Sequence, residues 1–574
     1  MTRYLGLTII VFLWLVSCNP SKESCDAACQ LQEVIKKYED HEGYDEKEFP
    51  LGNFTKDHYR AEAAFAQELL TEIEGIDIEL LSETDRISAK LLKFQLQETI
   101  DFVAFEQYLN PLLSDSGFHN NLTYEVRPIA NVDQARSYLN KLKAIPDFVD
   151  QHLVLLREGL EKGRSQPRVI FNGYESTYDT HIVEKPEESF FFSPFKKLPA
   201  TLEITLKDSI VNAGKEIVRN DVIEQFKRIK RFFEEEYLPK TRTTLGISET
   251  PNGRAFYKNR IHYYTTLNLS AQEIHEIGLQ EVARIKEEMT KIIAEVGFEG
   301  SFKDFLTLLR TNEQFYAKTP DELLMHARNL SKQVDAQLPK FFKTLPRQPY
   351  GVAPVPDAIA PKYTGGRYIP ADIGGTDPGY YWVNTYNLPS RPLYVLPSLT
   401  VHEAVPGHHL QIALNAELGD SIPKFRKDLY LSAYGEGWGL YSEYLANEFG
   451  IYRTPYENFG KLTYEMWRAC RLVVDTGIHA KGWARQQVVD YLADHTALSI
   501  HEVNTETDRY ISWPGQALSY KIGELKIREL RSKAEATLKD KFDIREFHEI
   551  ILAQGTVTLP ILEERVNDYI KANN

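Results

Sequence analysis

A cluster of histidines around one glutamate gives the first chemical signal in the sequence. Residues 402–409 read H-E-A-V-P-G-H-H. The His-Glu pair also occurs at positions 41, 275, 501 and 548, but there no second histidine follows within ten residues. A helix carrying H-E-x-x-H brings two imidazoles to one zinc ion and a carboxylate beside it. The octapeptide therefore predicts a metal site.

Pro406 distinguishes this octapeptide from a regular zinc-binding helix. In an unbroken α-helix His402 and His408 would lie about 240° apart, whereas His409 would share the face of His402 but lie about 10.5 Å further along the axis. Proline clashes with the preceding turn, so we expect a two-residue kink or bulge at Pro406 and Gly407. His402 and His408 are then the predicted ligands, with His409 as the alternative to His408. A helix that starts at the proline and carries incidental surface histidines is the competing interpretation.

A glutamate between two glycines is the candidate third ligand. A catalytic zinc typically has three protein ligands and an open position for water. Glu436 lies 28 residues after His408, which leaves room for a connection and a returning helix. Glu443, seven residues later on the same face, is expected to support a ligand rather than to bind the metal. A glycine-mediated helix contact with a solvated glutamate is the alternative.

The octapeptide also contains a candidate general base for metal-assisted hydrolysis. Zn²⁺ is the expected cofactor, and it would activate a water molecule and polarise a scissile carbonyl. Glu403, adjacent to the first ligand, is the predicted general base that takes the water proton and passes it to the leaving amine.

Most of the chain has the patterning of helices that could hold such a site. From about residue 30 to 345 the pattern is helical, with a capping box at 270–273. Between residues 346 and 400 lie ten of the 28 prolines, which exclude a continuous helix there. Residues 380–385 and 392–396 are aromatic and β-branched enough to form short strands. Helical patterning then returns, so we expect a mainly α fold with a small β element just before the motif helix.

The first residues have the pattern of an export signal. Arg3 is followed by about a dozen apolar residues, too few to span a bilayer, and the stretch ends in the lipobox-like run L-V-S-C. We expect residues 1–18 to be a lipoprotein signal peptide whose Cys18 is lipidated, and residues 19–32 to be a tether. The protein would then be exported and lipid-anchored to the bacterial cell envelope. An ordinary signal peptide with a chance cysteine is the alternative.

The composition of the chain limits which partners and which kind of fold are expected. The 574 residues are 43% hydrophobic and carry a net charge of -15, and no long run of Lys and Arg is present, so we expect no nucleic-acid partner. The 4 cysteines are too few for a disulfide scaffold, and Cys25 and Cys29 are compatible with a local disulfide or with two free thiols. We expect a helical N-terminal lobe at 33–345 and a C-terminal catalytic lobe at 346–574.

Four ordered motifs give the chain a family resemblance. Residues 402–409 are followed by E-G-W-x-L-Y-x-E at 436–443, D-T-G-I-H at 475–479 and W-P-G-Q-A-L-S-Y-K-I-G at 513–523. In this order the motifs resemble the bacterial family called domain of unknown function 885, over about residues 35–570. More distantly, they are similar to the gluzincin zinc metallopeptidases. The resemblance implies a large helical gluzincin-like fold with a deep cleft and a metallopeptidase-type site.

The same resemblance implies donors for the reaction's oxyanion. Related gluzincins carry a histidine and a tyrosine downstream of the third ligand, which makes His479 and Tyr520 the candidates here. Asp475, one helical turn before His479, could orient its ring. A structural histidine and a core tyrosine are the alternatives.

Together these features predict a membrane-anchored zinc-dependent hydrolase, a peptidase acting on short peptides. A metal-free peptide-binding lipoprotein, or a zinc amidase acting on a non-peptide amide, is the alternative. Residues 380–385 could supply an edge strand that pairs with an extended peptide. Arg391 and Arg509 could pair with a substrate carboxylate.

Overall fold

The computed structural model describes residues 25–357, 359–371 and 377–574. The expected signal peptide at 1–18, with Cys18, lies outside the described residues, as does the first part of the expected tether. In the described part, twenty-four α-helices and three short strands form the regular structure, which confirms the mainly α fold.

Fourteen α-helices of the described chain precede the sheet. They are α1 (Ala27–Glu39), α2 (Lys56–Glu74), α3 (Glu83–Ala104), α4 (Phe118–Asn121), α5 (Val132–Lys143), α6 (Ile145–Glu161), α7 (Ser176–Asp179), α8 (Ile204–Ile217), α9 (Glu224–Arg231), α10 (Gly253–Thr265), α11 (Ala271–Glu295), α12 (Phe302–Thr311), α13 (Pro320–Asp335) and α14 (Leu338–Phe341). The first of them begins inside the segment 19–32 that was expected to be a tether.

The helices after the sheet carry the four sequence motifs named above. The strands are β1 (Tyr350–Pro354), β2 (Gly366–Ile369) and β3 (Gly379–Val383). The helices are α15 (Leu396–Glu403), α16 (His408–Glu417), α17 (Lys424–Asp428), α18 (Ser432–Leu445), α19 (Pro455–Lys481), α20 (Arg485–His495), α21 (Ile500–Ser512), α22 (Ser519–Leu538), α23 (Ile544–Leu552) and α24 (Leu559–Asn573).

Capping chemistry explains where the two longest helices begin. The Ser270 hydroxyl accepts the Glu273 amide, and the Glu273 carboxylate accepts the Ser270 amide, so the predicted capping box opens α11. Thr454 and Glu457 form the same box at the start of α19, with a proline at its first position. Each box satisfies backbone amides that a helix start leaves without partners.

The sheet differs from the strands that the sequence predicts. Its order is β1-β3-β2, with β3 parallel to β1 and antiparallel to β2. The strand expected at 380–385 is present as β3, but it is central, so its expected role as an edge strand is wrong. Residues 392–396 are not a strand, because a 3₁₀ turn at Leu393–Val395 leads directly into α15. Pro397 lies in the first turn of that helix, where proline is favoured.

The buried apolar side chains form two large clusters, and both cross residue 346. One contains Ile285 of α11 together with Val473 of α19. The other contains Ile274 of α11 together with Trp438 of α18. The expected lobes at 33–345 and 346–574 therefore share their hydrophobic cores.

The amino-terminal end of the described chain is cross-linked. Cys25 and Cys29 form a disulfide at the start of α1, which decides between the two alternatives that the sequence left open. In the described ranges, no helix has both the length and the apolar character needed to cross a membrane.

Helices α18 and α22 approach each other through two glycines. A methyl group on Gly437 would lie 2.6 Å from the backbone of Gly523, and one on Gly523 would lie 2.0 Å from the carbonyl oxygen of Ala433. Neither position has room for a side chain. Because Glu436 is adjacent to Gly437, this close contact fixes the backbone position from which the side chain of the candidate ligand extends.

We expect Gly523→Ala to lower the free energy of unfolding by about 1–3 kcal/mol, because the added methyl overpacks the α18–α22 contact. Urea denaturation measures the change. Gly365→Ala is the matched control, since a methyl there would meet no atom nearer than 4.0 Å. Equal stability of the two variants would contradict the proposed tightness of this contact.

Candidate metal centre

The motif helix is interrupted where the sequence has proline and glycine. Residues 404–407 separate α15 from α16. Gly407 donates its amide to the Val401 carbonyl at 2.9 Å, and a methyl on Gly407 would lie 1.9 Å from the His402 carbonyl oxygen. The expected kink is therefore confirmed, and glycine is required in it. The break allows the rings of His402 and His408 to meet almost at right angles, with 4.8 Å between centroids.

Three side chains converge beside this break. His402 Nε2 lies 3.4 Å from Oε2 of Glu436, and His408 Nε2 lies 3.5 Å from the same oxygen. All three candidate ligand atoms lie within 4.8 Å of one another. The structure thus brings together the three residues that the sequence predicts as metal ligands.

The spacing of these atoms fits a tetrahedral zinc site. Ligands bound at about 2.0–2.2 Å to one ion lie about 3.3–3.6 Å apart along the edge of a tetrahedron. The two histidine–glutamate distances, 3.4 and 3.5 Å, agree with that spacing. A charge-assisted hydrogen bond would be shorter, about 2.7–2.9 Å. Two imidazoles and one carboxylate are also a typical donor set for catalytic zinc, so the residues present fit the metal.

The electrostatics of the centre favour a positive charge. Burial opposes protonation of His402, but the neighbouring carboxylates of Glu436 and Glu443 raise its pKa to about 10. Burial also opposes ionisation of Glu436, yet its contacts with His402 and His408 hold its pKa well below the usual value. A metal cation can supply the positive charge that these carboxylates favour, in place of the imidazolium proton.

A carboxylate behind His402 fixes the direction of its ring. His402 Nδ1 donates to Oε1 of Glu443 at 2.8 Å, and a guanidinium nitrogen of Arg468 lies 3.7 Å from the same oxygen. On the inner side of the ring, a methyl on Gly439 would lie 2.7 Å from an imidazole atom. Because Nδ1 faces Glu443, Nε2 is left facing the other candidate ligands. Glu443 therefore occupies the supporting position that the sequence predicts.

Glu403, the predicted general base, is anchored through one carboxylate oxygen. Its Oε2 accepts the backbone amide of Tyr368 at 2.8 Å, on the outer edge of β2. Among the described residues, its Oε1 has no hydrogen-bond partner. Glu403 is thus oriented by β2 while one oxygen stays available for a proton.

His409, the alternative second ligand, faces a different group. Its Nδ1 lies 2.9 Å from the Tyr368 hydroxyl, and its ring lies 4.6 Å from the ring of Tyr350. Burial lowers the pKa of His409 to about 4, so the ring is neutral at physiological pH. The geometry therefore favours His408 over His409.

Two side chains at the centre are absent from the sequence prediction. Tyr430 donates its hydroxyl to Oε1 of Glu436 at 3.2 Å, although the residue as a whole is partly exposed. Arg367 on β2 lies within electrostatic reach of Glu403 and Glu436. Tyr430 lies two residues before α18, the helix that carries Glu436, and this proximity was its one signal in the sequence. Arg367 had no such signal in the sequence.

His479 has backbone partners on both ring nitrogens. Its Nδ1 accepts the Ile247 amide at 3.1 Å, and its Nε2 donates to the Tyr510 carbonyl at 2.9 Å. Burial lowers its pKa to about 3. Asp475 does not orient this ring, because it accepts the Tyr257 hydroxyl at 2.6 Å and the Gly515 amide at 3.1 Å. The geometry gives His479 a structural position, and the expected role of Asp475 is wrong.

Tyr520 is packed among charged side chains. The guanidinium of Arg471 lies 4.1 Å from its ring centroid, and its hydroxyl accepts Arg509 at 3.4 Å. Arg509 is itself paired with Glu506 and Gln516, so it is not free for a substrate carboxylate. In the described part of the chain, Tyr520 makes no hydrogen bond to the three candidate ligands, and its role as an oxyanion donor stays a prediction.

Comparison with known proteins identifies the class to which this fold and site belong. The family described as bacterial protein of unknown function (DUF885) matches residues 40–566, and the chain belongs to this family.

Two solved structures resemble the chain over nearly its whole length. One is the crystal structure of a protein from Colwellia psychrerythraea, provisionally described as a lipoprotein. It is 27% identical, with a TM-score of 0.86, and the match covers 96% of this chain and 100% of that one. The other, from Shewanella oneidensis and described in the same provisional way with unknown function, shares the fold at 16% identity and a TM-score of 0.67, over 93% of this chain and 96% of that one. A search of curated proteins finds no match.

We expect Glu443→Gln to weaken zinc binding by about 10–100-fold, because a neutral amide supports the His402 ring less strongly than a carboxylate. Competition with a chromophoric chelator measures the affinity. Glu448→Gln is the matched control, since Glu448 lies just beyond α18 and pairs with Arg531. If both variants bind zinc as the wild type does, Glu443 has no part in holding a metal.

Proposed function

We propose that the protein is a zinc-dependent hydrolase that cleaves peptide bonds in short peptides. The observation that carries the proposal is the convergence of His402 Nε2, His408 Nε2 and Glu436 Oε2 within 4.8 Å, next to the anchored carboxylate of Glu403. A binding protein has no need for a general base beside a ligand histidine. The distant similarity to gluzincins agrees with this chemistry and stays a prediction.

The proposed mechanism divides the work between the metal and the chain. When bound, Zn²⁺ would lower the pKa of its water toward about 7 and polarise the scissile carbonyl. Glu403 accepts a proton from the attacking water on the oxygen that Tyr368 leaves unoccupied, and then gives it to the leaving amine. Glu443 keeps the His402 ring in place, and the Tyr430 hydroxyl steadies Glu436.

We also propose that the protein is exported and carries a lipid on Cys18. The lipobox-like sequence supports this, and the relative from Colwellia psychrerythraea is provisionally described as a lipoprotein. The disulfide between Cys25 and Cys29 adds an independent argument, because disulfides persist in oxidising compartments such as the bacterial periplasm.

The metal content of the purified protein tests the ligand set. We expect about one equivalent of zinc in the wild type and in His409→Ala, and loss of that zinc in His402→Ala and His408→Ala, because a catalytic site needs all three ligands. Elemental analysis after gel filtration measures it. No transition metal in any of the proteins would favour the metal-free binding lipoprotein instead.

The general base is tested by Glu403→Gln. The amide cannot accept the water proton, so we expect zinc to be retained while hydrolysis of short peptides falls by about 10²–10⁴-fold. Turnover is followed by mass spectrometry of the products, with Glu417→Gln as a control on the following helix. Wild-type turnover in Glu403→Gln would remove Glu403 from this role.

A further inference from the structure

A cavity of about 210 Å³ borders the helix that carries Glu403. Its wall includes Leu396 and Leu399 of α15, the helix that ends with Glu403. Spacings of three and four residues place these leucines and the glutamate on one face of the helix, and Leu399 precedes Glu403 by about 6 Å along the axis. The cavity therefore begins about two residues of extended peptide away from the predicted general base.

Strand β2 connects the cavity with Glu403. Gly365 lines the cavity, and a methyl on Gly366 would lie 3.1 Å from Cδ2 of Leu399. Two residues further on, Tyr368 donates its amide to Glu403. The strand and α15 thus run side by side from the cavity to the centre.

Arg391 places a charge in the cavity wall without a carboxylate of the described chain in salt-bridge contact. Among the described residues, no carboxylate oxygen lies within 4.0 Å of its guanidinium, and its buried Nε has no hydrogen-bond partner. Within the described ranges, the one hydrogen bond of its guanidinium is a long contact of 3.4 Å to the Ser390 carbonyl. A partly buried cation without an ion pair is costly, and burial lowers the pKa of Arg391 accordingly. A ligand carboxylate would offset that cost with two parallel hydrogen bonds.

The backbone holds Arg391 firmly in this position. Its amide donates to the Leu388 carbonyl at 2.9 Å. The next residue, Pro392, forms a bridge with Tyr316. The arginine is therefore presented by a fixed loop, which is the arrangement that recognition of a small anion requires.

The other charged groups of the cavity leave Arg391 as its available cation. Arg310 already donates to the carbonyl groups of Thr496 and Leu498. Glu502 also lines the wall, within electrostatic reach of Arg391. Burial, together with Glu506, raises its pKa to about 7. When it is protonated, the carboxyl group of Glu502 can donate a hydrogen bond to a ligand carboxylate. The remaining wall is mostly apolar, with Leu323, Val395 and Ile500 among its members.

We propose that this cavity binds a carboxylate borne on an apolar body, at one end of the peptide that reaches Glu403. The carboxylate pairs with Arg391, and the apolar walls cover the adjoining carbon chain. Two sources share this chemistry, namely the carboxy-terminus of a short peptide and the side chain of an acidic residue. The placement relative to a cleaved bond rests on the proposed hydrolase function, but the binding itself does not.

Isothermal titration of full-length Glu403→Gln protein loaded with zinc tests the cavity. The probes are acetyl-Ala-Ala-Leu with a free carboxy-terminus, the same peptide as its amide, and acetyl-Ala-Ala-Glu amide. We expect Arg391→Met to weaken binding of a carboxylate probe by about 10–100-fold, the effect of losing a charged hydrogen-bonded pair. Preference for the free acid assigns the carboxy-terminus, and preference for the glutamate amide assigns the side chain. Equal binding of all three probes overturns the proposal.

Control variants separate binding from folding. Arg136→Met makes the same change at an exposed arginine of α5 and should leave the affinity unchanged. The thermal midpoint of Arg391→Met should not fall, because the described structure loses no ion pair there. Arg391→Lys keeps the charge but not the two-point contact, so it should bind the probes with intermediate affinity even if the methionine variant folds poorly. Unchanged affinity in both Arg391 variants overturns the proposal.

Failure of the cavity and failure of the hydrolase proposal give different results. If the wild type hydrolyses no peptide but Arg391→Met still loses affinity, the binding site stands and the reaction does not. If the wild type hydrolyses the probes and Arg391→Met does so with the same KM and kcat, the hydrolase stands and the carboxylate site does not.

Discussion

The candidate centre depends on the close packing of α18 between two neighbouring helices. On one side Gly437 faces the backbone of Gly523 in α22, and on the other Gly439 lies directly against the ring of His402 in α15. Glu436 comes from the same turn as these glycines, so its carboxylate can reach both imidazoles only while α18 stays this close to α15. Seven residues after Glu436, the same helix presents Glu443 to the far side of the His402 ring. One helix therefore supplies both a candidate ligand and the group that orients another.

The position of α22 behind α18 is in turn tied to a buried cluster of charges. Lys521 is fully buried and lies 2.9 Å from carboxylate oxygens of Glu281, Glu465 and Glu524. Those glutamates come from α11, α19 and α22. Burial opposes the charge on Lys521, but the three carboxylates raise its pKa above the usual value. Such a cluster gives little net stability after desolvation, yet any shift of one helix along another would leave a buried charge without its partner. The cluster thus limits how the three helices can slide.

The sequence predicted the site better than the sheet, and the physical reason is the range of the interactions. The two histidine ligands could be found because they lie six residues apart around a proline and a glycine. Glu436 could be found because it lies between glycines, which are typical of close helix packing. The choice of His408 over His409 needed the actual turn, since a kink can direct either ring. The order of the strands could not be found, because β3 has similar composition whether it is central or at an edge. The structural alternative for His479 could not be favoured from the sequence, because its partners, Ile247 and Tyr510, are backbone groups far away in sequence.

Charge is distributed unevenly between the surface and the region of the centre. The chain has a net charge of -15, which disfavours the long-range approach of an anionic peptide. Salt screens that repulsion beyond about 8–10 Å. At shorter range two arginines offer positive charge, because Arg367 lies within electrostatic reach of Glu403 and Arg391 lines the cavity beside α15. A buried guanidinium acts through a lower effective dielectric than the surface carboxylates do, so its attraction is stronger for each charge. Selection of a carboxylate in the proposed cavity would therefore depend on local contacts, and the acidic surface would not prevent it.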